Sequence, residues 1–268
     1  MSARSEQAEA AGRALVAREG AIALVSVNRP EARNALDGET LDALAEAFAA
    51  LEGDANIRCI ILTGAGDKAF AAGADIKAMA DADPVGADVL VAHAHRVANL
   101  LEASRMPVIA AVNGFALGGG FELALACDFI LAARGAKVGM PEVSLGVIPG
   151  MGGTQRLVQR IGVARARQLI YTGGLIDAEA AARMGLVNEV LEPVELLPRA
   201  RAVAGEIATR APLAVAAAKR ALRRGPDLPL DEGIALERQL FCGLFSTHDQ
   251  KEGMRAFLDK RVPNWTGR

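Results

Sequence analysis

The chain has 268 residues, 51% of them apolar, with 30 basic against 32 acidic side chains and a formal net charge of −2. That length suffices for one large α/β domain, or for a core with an appended piece. A charge balance this close to zero offers a polyanion no footprint, so nucleic acid is not an expected partner.

In chain order, residues 1–20 are rich in Ala, Glu and Arg and contain no apolar h-region, while Glu6 and Glu9 argue against an organelle transit peptide. Residues 1–19 are read as an N-terminal extension. Residues 21–27 (Ala-Ile-Ala-Leu-Val-Ser-Val) predict a strand ended by Asn28-Arg-Pro30. Asp37 is placed to cap a helix over 38–52, whose Leu41, Leu44, Ala45 and Phe48 share one face. Residues 57–63, rich in β-branched side chains, form a second strand stopped by Gly64-Ala-Gly66. Val89, Leu90, Val97, Leu100 and Leu101 give 84–104 a helical pattern. Pro107 to Val112 reads as a buried strand, 119–126 as a short helix and 129–133 as another strand. The longest uncharged stretch, 106–121, is shorter than the roughly 20 residues of a membrane span. A cytoplasmic location with no membrane partner is the expectation.

Helices follow over 153–162, 163–172 and 178–184, and the segment from Leu196 onward is almost entirely helical. Within it, 230–245 carries Ile234, Leu236, Leu240, Phe241 and Leu244. The change from alternating elements to helices alone divides the chain into a core over 20–200 and a helical C-terminal oligomerisation region over 201–268. One helix pair cannot bury all its apolar face alone, so docking on a partner subunit is expected. An internal echo links 57–77 with 108–125: in each, an apolar run leads through a Gly/Ala-rich turn into a helix with an acid nearby.

Two glutamates stand out against glycine-rich backbone. Glu122 closes Asn113-Gly-Phe-Ala-Leu-Gly-Gly-Gly-Phe-Glu122, and Glu142 opens the stretch that runs to Pro149-Gly-Met-Gly-Gly153. Residues 118–120 fall at a helix start, where the first N–H groups lack intrahelical partners and can hold an anion. A tight turn needing small residues would look the same. The small residues from Ala71 to Ala74 also leave N–H groups accessible. Two such turns could aim two donors at one oxygen, as in an oxyanion hole for a carbonyl becoming an enolate; a plain loop is the other reading. A first-turn Glu122 on an exposed helix would only complement the dipole. Its neighbours Phe121, Leu123, Ala124, Leu125 and Ala126 instead imply burial, which raises a carboxyl pKa toward values useful for proton transfer. The same argument holds less strongly for Glu142.

Other features resolve to ordinary packing. Cys59, Cys127 and Cys242 are odd in number and scattered, and the first two lie in apolar stretches as reduced, buried residues would. Gly64-Ala-Gly66-Asp-Lys-Ala69 fits a dinucleotide fingerprint, but Phe70-Ala-Ala-Gly73 interrupts the helix that should follow. His93 and His95 sit in helical surroundings without an evident third ligand, so no metal is expected. Ser104, Ser144 and Ser246 lack the Gly-x-Ser-x-Gly context of a serine hydrolase.

The stretches Asn28-Arg-Pro-Glu-Ala-Arg-Asn-Ala-Leu36, Ala69-Phe-Ala-Ala-Gly-Ala-Asp-Ile-Lys77, Pro107 to Gly120, Pro149-Gly-Met-Gly-Gly-Thr-Gln-Arg-Leu157 and Glu252 to Arg261 closely resemble the crotonase (enoyl-CoA hydratase/isomerase) superfamily over about residues 20–265. The resemblance implies an α/β fold, a spiral of repeated ββα units with a helical C-terminal region, assembled as trimers or dimers of trimers. It matches Ala74 and Gly119 to the family's two oxyanion-hole donors. It puts the turn from Ala72 through Asp75 and Ile76 to Lys77 against the CoA adenine and pantetheine, with Arg33 and Lys68 as phosphate partners. Both catalytic glutamates, Glu122 and Glu142, are kept, as in the family's short-chain hydratases. That implies syn addition of water across the 2,3 double bond of a 2-enoyl-CoA thioester in fatty-acid β-oxidation. Glu122 would help orient and deprotonate the water, and Glu142 would protonate C2. A Δ3–Δ2-enoyl-CoA isomerase, using the later glutamate alone, is the alternative, and a catalytically idle acyl-CoA-binding member is a further one. No cofactor is implied, coenzyme A being part of the substrate. Met140, where some hydratases carry a more polar residue, bears on the substrate chain.

Overall fold

The structure, a computed structural model, describes residues 12–268. Residues 1–11, with Glu6, Glu9 and most of the expected extension, lie outside the described residues. In chain order the strands are β1 (Ala14–Glu19), β2 (Ile22–Val27), β3 (Cys59–Gly64), β4 (Ala69–Ala71), β5 (Val108–Val112), β6 (Phe115–Leu117), β7 (Phe129–Ala133), β8 (Lys137–Gly139), β9 (Leu175–Asp177) and β10 (Glu189–Leu191). The helices are α1 (Gly38–Glu52), α2 (Ile76–Met79), α3 (Pro84–Ala103), α4 (Gly119–Leu125), α5 (Gly153–Ile161), α6 (Val163–Thr172), α7 (Ala178–Arg183), α8 (Pro193–Ala208), α9 (Pro212–Arg224), α10 (Leu230–Leu244) and α11 (His248–Leu258).

A six-stranded sheet runs β1-β2-β3-β5-β7-β10 and a four-stranded one runs β4-β6-β8-β9. β3, β5 and β7 pair in parallel, and so do β4, β6 and β8. Each ββα unit therefore repeats its predecessor one strand along. β3-β4-α2 and β5-β6-α4 are the two stretches whose sequences echo each other, and they build the spiral expected from the family resemblance.

Every residue of β3 and β5 is buried, because this sheet is covered on both faces. Ile60, Leu62, Val108 and Val112 face the main core. Cys59, Ile61, Ile109 and Ala111 face a second cluster closed by Leu196, Ala200 and Ala204 of α8. The division placed at residue 200 thus falls inside α8, whose stripe at i, i+4 and i+8 belongs to the core sheet.

β1 occupies part of the expected extension, where Ala-Leu-Val-Ala-Arg-Glu pairs antiparallel with β2 as a half-buried edge strand. The strands of the small sheet are three residues each, too short for any period to register. Asp37 caps α1 as expected, accepting the Thr40 N–H at 2.8 Å. Cys59 and Cys127 are buried, Cys242 is exposed, and all three are free.

Leu196 is 1% exposed at the centre of the α8 contact. Leu196→Ala is expected to cost about 2–5 kcal/mol, the range for a buried leucine truncated in a packed core. Urea denaturation at constant slope measures it.

Candidate active site

α4 presses onto β4 so tightly that a β-carbon at Gly120 would collide with the Ala71 carbonyl. This backbone contact sets Glu122, in the first turn of α4 and 2% exposed, between the two sheets. Glu122 Oε1 accepts two N–H bonds, from Met151 at 2.8 Å and from Gly153 at 2.6 Å. Gly153 opens α5, so the carboxylate rests on a helix start whose dipole favours negative charge. A β-carbon at Gly153 would come within 2.8 Å of Glu122 Oε1, so only glycine lets the carboxylate reach that N–H. Burial pushes the Glu122 pKa up, while the two N–H bonds and the nearby Arg156 charge pull it back.

Glu142 lies in the 3-10 turn Pro141–Leu145 that follows β8. Both its carboxyl oxygens are buried without a protein hydrogen-bond partner. Burial, with the charge of Glu122 adding to it, pushes its pKa up to about 7. The carboxyl packs against Gly118, where a β-carbon would lie 2.7 Å from Oε1. One carboxylate is therefore anchored by donors and the other is not.

Two backbone donors face the same space. Leu36 forms a parallel bridge with Ala74, donating to the Gly73 carbonyl at 2.8 Å and accepting from the Asp75 N–H at 3.1 Å. That pattern engages the residues on either side of Ala74 and turns the Ala74 N–H outward. The Gly119 N–H is the first of α4 and has no intrahelical partner. Gly119 lies against Ala74, its β position 3.6 Å from the Ala74 nitrogen.

A cavity of about 760 Å³ connects these groups. Ala74, Gly119, Glu122 and Glu142 line it together with Ala72, Asp75 and Ile76. Leu90 and Val91 of α3, with Ile148 and Met151, supply an apolar wall. Arg33, Lys68 and Lys77 are exposed and stand outside that lining. Asp75 has further duties: it pairs with Arg29 at 2.8 Å and caps α2 at the Lys77 N–H, and the guanidinium holds its carboxyl below the usual range. The Met151 and Gly153 donors escaped the sequence reading, although Gly-x-Gly-Gly just before a helix was a usable signal.

The dinucleotide-like glycines have another task. Gly64 meets the Ala69 carbonyl too closely for any side chain, and Asn34 and Asn113 brace the loop by donating to the carbonyls of Ala65, Ala69, Gly64 and Gly66. His93 faces Asp42 of α1 at 3.1 Å, and among the described residues no group of three His, Cys, Asp or Glu could hold a metal. No helix among them is long and apolar enough to cross a membrane.

Two buried carboxyl groups held unequally, beside two free N–H groups, are the equipment of an acid–base enzyme working next to a carbonyl. The sequence profile of the enoyl-CoA hydratase/isomerase family matches residues 17–268, and the chain belongs to that family. It is similar to the crotonyl-CoA hydratase of Syntrophomonas wolfei, 47% identical over 94% of this chain and 96% of that one. It is 45% identical to the short-chain-enoyl-CoA hydratase of Clostridium acetobutylicum over 92% and 95%. Among solved structures, an enoyl-CoA hydratase from Bacillus anthracis superposes with a TM-score of 0.92 at 41% identity, covering 96% of this chain and all of that one.

Because the Glu142 pKa is raised from 4.5 to about 7, the folded protein holds a proton there that the unfolded chain releases. The stability this confers is complete below pH 4.5 and is lost as pH rises through about 7. The melting temperature of Glu142→Gln should therefore gain on that of the wild type between pH 5 and 8, by thermal melts at constant ionic strength. A difference that stays flat with pH would contradict the assignment.

Proposed function

We propose that the chain is an enoyl-CoA hydratase acting on short 2-enoyl-CoA thioesters, with Glu122 and Glu142 as the catalytic pair and Ala74 and Gly119 as the oxyanion-hole donors. The observation that carries this reading is that all four line one cavity while the carboxyls differ in their anchoring. The substrate class follows from the similarity to hydratases named for crotonyl-CoA and short-chain enoyl-CoA.

The thioester oxygen accepts from the Ala74 and Gly119 N–H groups, which favour the enolate formed when C3 is attacked. A water between the carboxyls adds to C3 and gives a proton to ionised Glu122, while protonated Glu142 supplies the proton at C2. Environment separates the two roles: the helix start and two N–H bonds favour the ionised form of Glu122 against the burial that raises its pKa, whereas burial of Glu142, whose carboxyl oxygens lack such partners, pushes its pKa up to about 7. Water adds, both protons are accounted for, and coenzyme A leaves with the product as part of it. The exchanged protonation states are reset by proton transfer to solvent.

Ala72, Asp75, Ile76 and Lys77 would follow the adenine and pantetheine, and exposed Arg33 and Lys68 would meet phosphates. The protein would work in the cytoplasm as a homotrimer or a dimer of trimers, with residues 201–268 as its oligomerisation region. Supporting this, Leu222, Leu230, Phe241, Phe257 and Leu258 on α9–α11 are 60–82% exposed.

Hydration of crotonyl-CoA, followed by loss of the conjugated thioester absorbance, is the direct test. Glu122→Gln and Glu142→Gln should each lower kcat by roughly 10²–10⁴ while acyl-CoA binding stays largely intact. Full activity in Glu122→Gln would sink the two-carboxylate mechanism. Sedimentation equilibrium should return three or six times the chain mass, and Phe257→Glu with Leu258→Glu should lower it; a monomeric wild type would refute the assembly.

A further inference from the structure

Arg156 lies on α5, three residues past the Gly153 N–H that holds Glu122. Its guanidinium packs against the backbone of Gly152, which has φ +97° and no room for a β-carbon beside it. Nη1 donates to the Met151 carbonyl at 2.6 Å, and Nε donates to Glu102 Oε1 at 2.5 Å, near the end of α3. Arg223 of α9 approaches the other Glu102 oxygen at 3.4 Å. The turn over 150–153 is thus gripped from two sides: its N–H groups hold Glu122, and its Met151 carbonyl is held by Arg156. With side chains 15% and 23% exposed, Arg156 and Glu102 are a largely desolvated pair, in which removing one partner is felt.

We propose that Arg156, itself held by Glu102, is a positioning residue for the hydration reaction: it clamps the 150–153 turn so that the Met151 and Gly153 N–H groups stay aimed at Glu122. The inference rests on the hydratase reading above. Arg156 acts through the turn, and its charge works in the same direction as the donors it places, toward an ionised Glu122.

The other charged groups around α4 leave this role to Arg156. Arg160 of α5 donates to the Leu125 and Cys127 carbonyls at the far end of α4. β4, β6 and β7 carry no titratable side chain. On α3, Glu102 is turned to Arg156 and His93 to Asp42, while Asp88, His95 and Arg96 are exposed. Glu142 opposes ionisation of its partner, and Asp37 and Asp75 are occupied with Arg29.

The test is the pH dependence of crotonyl-CoA hydration by the full chain, in wild type, Arg156→Met, Arg156→Lys and Glu102→Gln. Arg156→Met should lower kcat at pH 7 by roughly 10–100-fold, the scale for a small misplacement of a catalytic group. KM should stay within about threefold, since no group on the substrate handle is touched. The acidic limb of the kcat profile should move to higher pH, because Glu122 then binds its proton more tightly. Arg156→Lys should keep the limb near the wild-type position and recover part of kcat; Glu102→Gln should move it less, in the same direction. A drop in kcat by one factor at every pH, or a rise in KM alone, would overturn the clamp and leave only a packing role. If circular dichroism shows Arg156→Met unfolded, Glu102→Gln decides: a shifted limb supports the clamp and an unshifted one refutes it. Absence of hydration in the wild type would bring down the hydratase reading and this inference with it. Wild-type activity with an unshifted limb refutes the clamp alone.

Discussion

The site depends on how closely successive ββα units approach one another through bare backbone. Gly120 meets the Ala71 carbonyl and Gly114 meets the Lys68 carbonyl at separations that exclude any side chain. Each unit contributes a turn, and only such contacts bring the turn after β4 beside the turn after β6. The Ala74 and Gly119 nitrogens are neighbours for that reason. Because the donors are main-chain atoms held by sheet pairing and a helix start, no side-chain rotamer has to be frozen to place them. The cost is sequence freedom: one added methyl at Gly120 drives two units apart.

The same economy explains why two glutamates in one cavity differ. Glu122 sits where α5 begins, so the carboxylate completes a helix that has no side-chain cap of its own. Glu142 rides on a short 3-10 turn after β8, with Gly118 behind it and neither carboxyl oxygen hydrogen-bonded to another residue. Burial raises both pKa values, but Glu122 has several backbone donors and the Arg156 charge to offset it, whereas Glu142 has only its own backbone N–H. The proposed mechanism, with an acid and a base of the same residue type, needs this asymmetry of surroundings, and the glycine-rich turn over 150–153 supplies it.

The long elements were legible because their patterns are long. Asp37 stands ahead of a 15-residue helix, long enough for a period to show, and β3, β5 and β7 stand out as unbroken apolar runs. Glu122 was legible because an acid inside Phe121-to-Ala126 conflicts with apolar packing, and Glu142 through its glycine surroundings. Three-residue strands such as β4 and β8 offered no period at all, and β1 was hidden because it continues the Ala-, Glu- and Arg-rich start of the chain and none of its residues is fully buried. The partners of Glu122 were hidden for a different reason. They are N–H groups 29 and 31 residues further on, and backbone donors leave no side-chain trace. Their one mark was the spacing of Gly150, Gly152 and Gly153. Likewise the boundary at 200 followed from the shift to helices alone, whereas α8 belongs to the sheet it covers.

How α9 is seated follows from a buried charge rather than from buried apolar side chains. α9 buries a single residue, Lys219, and α10 buries none. Lys219 Nζ donates to the Leu101 and Met106 carbonyls, each at 2.9 Å, and pairs with Asp128 at 2.8 Å. Asp128 in turn accepts the Val108 N–H at the start of β5. An ammonium taken out of water is tolerable only with its donors satisfied, so this contact admits one geometry where an oily one would admit several. α9 is thereby registered against the end of α3, the helix that carries both the apolar cavity wall and Glu102. The apolar faces of α9–α11 remain outward, and a chain that anchors its helices by a polar peg can present those faces intact to a partner surface.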